Sequence, residues 1–348
     1  MGEHTLTEIP QTMRAAVLTP DRKIHVEERA VPHLASDEVL IAVSAVGVCG
    51  SDVHYYREGH IGPYVVSAPL ILGHEVAGTI VAVGNDVSPA RVGQRVSVEP
   101  QHPCRLCDQC KAGRYNLCPQ MTFYATPPID GAFCGYVTIQ DDFAHSVPES
   151  LTDEATALLE PLSVAVTACR KAQITRASRV LISGAGPIGL LIVQTARAYG
   201  ATEIVVSDLV QERRENALRL GATRAVDPVA EDIVDEGPRF DAYIDASGAP
   251  RAVQAGIKCV RGAGTVVLVG MGADSFELPV STIQFRELTL TGVFRYTDTW
   301  PAAIALASSG AVDLDALVTG HYDLATVEEA LQADTQPDSL KSIVYPTR

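Results

Sequence analysis

The stretch Gly184-Ala185-Gly186-Pro187-Ile188-Gly189 constrains the fold more than any other part of this chain. It follows an apolar run at 180–183 that reads as a strand, and it opens a segment at 187–199 that reads as a helix stopped by Gly200. In that context each glycine has a task. Gly184 permits the tight turn, Gly186 lets the backbone approach a pyrophosphate, and Gly189 lets the helix pack closely on the strand. The helix N-terminus, entered at Pro187 and Ile188, offers unpaired N–H groups to the anion. Asp208 ends the next predicted strand, at 204–207, nineteen residues after Gly189. A carboxylate there accepts hydrogen bonds from adenosine ribose hydroxyls and repels a 2′-phosphate, so NAD is expected over NADP. Arg213 complicates this, since it could cover the adenine face or reach a phosphate. Val269, Gly270 and Met271 end a later predicted strand, at the carboxyl edge where ligands bind in open sheets. A glycine-rich turn in an α/β domain that binds no nucleotide is the plainer alternative.

The rest of the chain divides into two textures. From 14 to 147 the apolar residues come in short runs broken by Gly, Pro, Asn and Asp, which is a β-rich, loop-rich pattern. After about 162 strand and helix signals alternate, as in a parallel sheet covered on both faces. Past about 292 the alternation fades, and periodicity alone leaves open whether the tail finishes the sheet or returns to the first region. At 348 residues and 47% hydrophobic content, two full cores can be filled.

Cys104, Cys107, Cys110 and Cys118 fall within fifteen residues, a spacing suited to a tetrahedral zinc held by thiolates. Such a closed site shapes a lobe and does no chemistry. A second set, Cys49, His74, Glu75 and Glu160, contains competent zinc ligands, and three of them as protein ligands would leave one position for water or substrate. Individually these residues have plainer readings: Cys49 as a small buried hydrophobe, Glu160 as a charge in the first turn of a helix. The excess of 42 acidic over 27 basic side chains, a formal charge of −15, argues against nucleic acid and anionic membranes as partners. The first residues carry no cationic start followed by an apolar stretch, and no apolar run is long enough to span a bilayer. With eight cysteines of which four have metal spacing, a reducing, cytoplasmic setting is expected.

The segments Gly47-Val48-Cys49-Gly50-Ser51-Asp52-Val53-His54-Tyr55 and Gly73-His74-Glu75, together with the four-cysteine run, resemble the zinc-dependent medium-chain dehydrogenases. Within that superfamily Gly59-His60-Ile61-Gly62, Ala125-Thr126-Pro127-Pro128, Glu160-Pro161-Leu162-Ser163 and Val293-Phe294-Arg295-Tyr296 with Thr299-Trp300-Pro301 resemble the sorbitol and xylitol dehydrogenase branch. The resemblance implies an α/β protein with a GroES-like β-rich catalytic domain at 1–161, a structural zinc lobe at about 100–120, a doubly wound Rossmann NAD-binding domain at 162–294, and a return to the catalytic domain at 295–348. It implies that Cys49, His74 and Glu75 bind catalytic zinc, with Glu160 either a fourth ligand or the holder of a water. It assigns polyol contacts to Tyr55, Phe123, Thr126, Glu160, Arg295 and Tyr296. Cofactor contacts are assigned to Ile188, Asp208, Arg213, the segment from Val269 to Met271, and Val293, Phe294 and Arg295. A homotetramer is also implied.

The reaction expected from these residues is hydride transfer from a polyol carbinol to NAD, with zinc acting on the hydroxyl and a ketose as product. Ser51 is placed in sequence to relay the departing proton and His54 to accept it further out. Arg295 offers five fixed donors, which suit neighbouring hydroxyls. A secondary-alcohol or threonine-type dehydrogenase of the same superfamily is the nearest alternative, and a catalytically silent zinc- and nucleotide-binding protein a remoter one.

Overall fold

The computed structural model describes residues 9–336 and 338–347, so the polar start at 1–8 lies outside the described residues. The chain separates into two compact units, one formed by the chain up to Glu160 and again from Leu314, the other by Pro161–Asp313. Helix Trp300–Ser308, allotted above to the return segment, therefore belongs to the second unit. Hydrogen bonds tie its flanks to the second unit: Arg170 donates to the Asp298 carbonyl at 2.8 Å, and the Gln194 amide donates to the Asp313 carbonyl at 3.2 Å and accepts from the Asp313 N–H at 2.7 Å. Trp300 and Tyr296, both fully buried, pack edge-on at 4.9 Å.

The first unit is built on a seven-stranded sheet. Its order runs Ala144–Ser146, Arg95–Val98, Glu75–Val83, Glu38–Gly47, Lys341–Tyr345 and Val318–Asp323, with Tyr136–Gln140 also pairing with Glu38–Gly47. The inward positions of these strands, among them Val39, Ile41, Val76, Ile80, Val96 and Ile139, are fully buried. Strand Tyr136–Gln140 alternates apolar with polar residues and so presents one apolar face, whereas Glu38–Gly47 and Glu75–Val83 are nearly continuous apolar runs. The returning strand Lys341–Tyr345 runs antiparallel to Glu38–Gly47, with Ile343 opposite Gly47. On its other side Gly47 faces Glu75. Register thus sets the ends of three strands side by side.

The second unit is a six-stranded parallel sheet in the order Arg224–Val226, Glu203–Ser207, Arg179–Ser183, Phe240–Asp245, Val260–Leu268 and Thr289–Gly292. That is the arrangement in which the strand order reverses beside the first strand and leaves a crevice at the carboxyl edge. Strand Arg179–Ser183 is central and almost wholly buried, which is why it reads as a continuous apolar run. Helix Pro187–Ala198 starts with proline at its first turn, and the chain leaves it at Gly200, whose φ is +98°. The edge strand Arg224–Val226 carried no periodic signal, being three residues long with one arginine. Among the described residues no helix is long and apolar enough to cross a membrane.

Candidate active site

In the first unit Cys49, His74 and Glu75 come together, their ligand atoms all within 4.8 Å of one another. Cys49 is the N-cap of helix Gly50–Glu58, and His74 and Glu75 stand where the chain enters strand Glu75–Val83. Asp52 locks the two elements together. Its Oδ2 accepts from the Cys49 N–H at 2.9 Å, and its Oδ1 accepts from the Gly73 N–H at 2.9 Å. The same Oδ1 lies 3.8 Å from His74 Nδ1, so this fully buried carboxylate faces one ring nitrogen and leaves Nε2 available to a cation. Phe123 closes one side, its ring 5.4 Å from that of His74.

The donor set fits a divalent metal on several grounds. Glu75 is 1% exposed, and its Oε2 has no hydrogen-bond partner. A bare buried carboxylate oxygen is costly unless a cation sits against it. Gly47 makes room for it: a Cβ there would lie 2.0 Å from that oxygen. Burial and then the charge of Glu75 push the Cys49 thiol up to about 11, so the thiolate that a metal requires forms only when the metal supplies the compensating charge.

Lys341, on the returning strand, was not anticipated from sequence. Its Nζ donates to Glu75 Oε1 at 2.5 Å and to the Val48 carbonyl at 2.7 Å, and the side chain is buried. Burial pulls its pKa down, but Glu75 and Cys49, with a further contribution from Glu160, outweigh this and hold it above the ordinary lysine value. Glu160, the second residue of helix Leu159–Lys171, is buried but does not join the cluster of three ligands. Nor does Asp52 have any signal of its own in sequence, beyond standing three residues after Cys49 in the capping-box position.

Ser51 is half-buried, and its hydroxyl acts weakly to lower the Cys49 thiol against the burial that raises it. His54 is exposed, with Nδ1 3.5 Å from Glu58 on the same helix. Tyr55 is buried on that helix, and Thr126 is half-buried beyond Ala125, which takes a φ of +54°. Cys104, Cys107, Cys110 and Cys118 form a second cluster of ligand atoms. Backbone N–H groups point at three of these sulfurs: Cys107 at Cys104, Cys110 at Cys107, and Cys104 at Cys118, at 3.4–3.5 Å. Bonds from the Leu106 and Cys107 amides hold the Cys104 thiol down at about 6, whereas burial and the neighbouring sulfurs push Cys110 up to about 12. Four thiolates at this spacing need a cation between them.

In the second unit the glycine turn has the geometry expected of it. Gly184 has φ +89°, a Cβ on Gly189 would lie 1.9 Å from the Gly184 carbonyl, and a Cβ on Gly186 would meet nothing within 4 Å. Gly186 is the N-cap of helix Pro187–Ala198, so open space lies in front of that helix end. Asp208 accepts from the Ala185 N–H at 2.7 Å and the Val210 N–H at 2.8 Å. Arg213 Nε is buried without a partner. Ile188 is half-buried, and Met271 is exposed beyond Val269 and Gly270, whose N–H groups both bond the Asp245 carbonyl. After Val293, which donates to the Leu268 carbonyl at 2.9 Å, Arg295 adopts a left-handed φ of +55° with its guanidinium over the Phe294 ring at 4.8 Å. A non-glycine residue held there is strained, and such strain clusters at functional sites.

Comparison with known proteins agrees with both units. Residues 35–149 match the family model described as the alcohol dehydrogenase GroES-like domain, and residues 187–309 match that described as zinc-binding dehydrogenase. A sorbitol dehydrogenase of Bacillus subtilis is 43% identical over 350 residues, covering 98% of this chain and 99% of that protein. A protein of Aspergillus clavatus named "Probable D-xylulose reductase A" is 38% identical over 356 residues, 99% of each. The crystal structure of L-idonate 5-dehydrogenase from Escherichia coli superposes with a TM-score of 0.91 at 31% identity, covering 96% of this chain and 98% of that one.

Proposed function

The chain belongs to the zinc-dependent medium-chain dehydrogenases, in their polyol branch, and we propose that it oxidises a secondary hydroxyl of a sorbitol- or xylitol-like polyol to the ketose with NAD. The observation that carries this reading is the cluster of half-buried Cys49 with buried His74 and Glu75, whose Oε2 is bare. When bound, zinc supplies Lewis acidity toward a substrate hydroxyl and NAD supplies the hydride acceptor.

The chain's own residues do the rest. Cys49, His74 and Glu75 hold the metal, Asp52 orients His74, and Lys341 balances the surplus negative charge that a thiolate and a carboxylate create. Ser51 takes up the hydroxyl proton at its Oγ and passes it outward, His54 standing one helical turn further on toward solvent. Phe123 and Tyr55 exclude water and Thr126 and Glu160 contact the polyol, while in the second unit Arg295 offers fixed donors suited to hydroxyls. Asp208 has acceptor sites left after its two backbone bonds, and these receive the ribose hydroxyls, which favours NAD. Cys104, Cys107, Cys110 and Cys118 hold a second zinc that shapes their lobe.

The catalytic domain corresponds to the first unit and the NAD-binding domain to the second. We place the protein in the cytoplasm as a homotetramer. Support for self-association comes from the edge strand Thr289–Gly292, flanked by exposed Phe285 and Phe294. NADH formation measured across sorbitol, xylitol, 2-propanol and threonine tests the substrate class. Polyols are expected to give a kcat/KM at least ~100-fold above 2-propanol, because unpaired polar groups penalise the simpler alcohol; a preference for 2-propanol or threonine overturns the polyol reading.

A further inference from the structure

Asp245 is a fully buried acid at the carboxyl end of strand Phe240–Asp245, beside the strand that leads into the glycine turn. Its carboxyl group collects four donors. Oδ1 accepts from Ser183 Oγ at 2.7 Å, from Ser247 Oγ at 2.6 Å and from the Ser247 N–H at 3.1 Å, while Oδ2 accepts from the Gly248 N–H at 3.0 Å. Its carbonyl accepts two more, from the Val269 and Gly270 amides at 2.8 and 3.0 Å. Ser183 in turn shares a 2.6 Å hydrogen bond with the Tyr243 hydroxyl. Burial, and then the charge of Asp245, keep that phenol well above its ordinary pKa, so it stays protonated and donates into the chain of bonds.

Three backbone segments meet around this one residue, and no side chain separates them. A Cβ on Gly184 would lie 3.0 Å from the Ala246 carbonyl carbon, one on Gly270 would lie 2.2 Å from the Gly248 nitrogen, and one on Gly248 would lie 2.2 Å from the Met271 carbonyl. The turn after Ser183, the loop after Asp245 and the segment from Val269 to Met271 are thus stacked backbone on backbone. Asp245 is bonded to all three: through Ser183, through Ser247 and Gly248, and through its own carbonyl.

We propose that Asp245 is a positioning residue of the NAD site, fixing the distance between the pyrophosphate turn at Gly184–Gly186 and the segment from Val269 to Met271 that receives the far half of the dinucleotide. This rests on the NAD reading of the glycine turn. Asp245 itself touches no cofactor. It acts by making the two halves of the site rigid relative to each other, so that a ligand spanning both halves feels its loss more than a ligand seated on one.

The test compares NAD with ADP-ribose, which lacks the nicotinamide. Asp245→Asn keeps the size but turns one acceptor into a donor facing N–H groups, and Ser247→Ala leaves the acid in place but removes one of its four donors, together with the hydroxyl's weaker bonds to Ser183 Oγ at 3.5 Å and from the Ala249 N–H at 3.2 Å. For Asp245→Asn the dissociation constant of NAD, by titration calorimetry on the zinc-loaded enzyme, is expected to rise ~10–100-fold, the worth of hydrogen bonds to a charged group. ADP-ribose is expected to lose no more than ~3-fold, and zinc content and polyol KM at saturating NAD to stay at wild-type levels. Ser247→Ala is expected to show the same ordering with a rise of ~3–10-fold for NAD, and it decides the matter should Asp245→Asn not fold. Equal losses for NAD and ADP-ribose, or no loss for either in a folded variant, overturn the positioning role. A wild-type protein that binds neither ligand overturns the NAD reading instead.

Discussion

Replacing Lys341 by methionine keeps the length and apolar stem of the side chain and removes only its charge. In the metal-free protein this leaves Glu75, 1% exposed, with Oε2 already bare and Oε1 deprived of its 2.5 Å partner. Stranding one member of a buried ion pair costs ~3–5 kcal/mol. For a unit of roughly two hundred residues that corresponds to a fall in melting temperature of about 6–20 °C. Lys341→Arg keeps the charge and should lose less. The double variant Lys341→Met with Glu75→Gln removes the uncompensated charge and should recover much of the loss, because the cost lies in the stranded carboxylate. Zinc compensates the same carboxylate, so adding zinc should raise the midpoint of Lys341→Met by more than it raises that of wild type. Thermal unfolding by circular dichroism, on stripped and reloaded protein, reads all of these. A stripped Lys341→Met that melts within ~1 °C of wild type, or a double variant no more stable than the single one, would refute the role given to the pair.

Gly47→Ala should displace the Glu75 carboxylate, since its Cβ would lie 2.0 Å from Oε2; metal analysis should show the catalytic equivalent lost and the cysteine lobe still loaded. Cys110→Ser should do the reverse, releasing the lobe metal and lowering the melting temperature, and retention of both metals would count against the four-thiolate site. Arg295→Ala is expected to lose polyol turnover by far more than it loses affinity for NAD, which other residues also hold; unchanged activity on sorbitol and xylitol would sink the assignment. Burial acts to raise the pKa of Glu203, but Arg179 and Arg239 outweigh it and hold the carboxyl below its ordinary value. Its contribution is therefore complete above the unfolded carboxylate pKa and disappears as pH falls through the lower folded value. Glu203→Gln should destabilise the protein at neutral pH and have little effect in strong acid, as urea titrations at the two pH values would show.

The sequence was most informative where chemistry and backbone geometry demand particular residue types. Three glycines between an apolar strand and a proline-led helix leave few alternatives, and the same is true of four closely spaced cysteines. Cys49, His74 and Glu75 were legible as types from their spacing and as neighbours only through the family resemblance, because what joins them is sheet register and the double acceptor role of Asp52. Lys341 was invisible for a stronger reason: it lies more than 260 positions from Glu75, and a lysine in a short strand reads as a solvent-facing charge until the returning strand is seen to pair with Glu38–Gly47. The end of the second unit was also hard to place. Tyr296 and Trp300 carry its packing onward to Asp313 after the strand and helix alternation has faded. Asp245 went unremarked because one acidic residue closing an apolar strand has no pattern, and only the donors converging on it reveal its task.

The central claim is that chemistry resides at Cys49, His74 and Glu75 while the four-cysteine lobe is structural. NADH formation from sorbitol or xylitol by Cys49→Ala, measured alongside its metal content, tests this most directly. The account predicts a folded protein that keeps the lobe metal, loses the other, and makes no detectable NADH. Turnover near the wild-type rate in a variant shown to lack the second metal would contradict it.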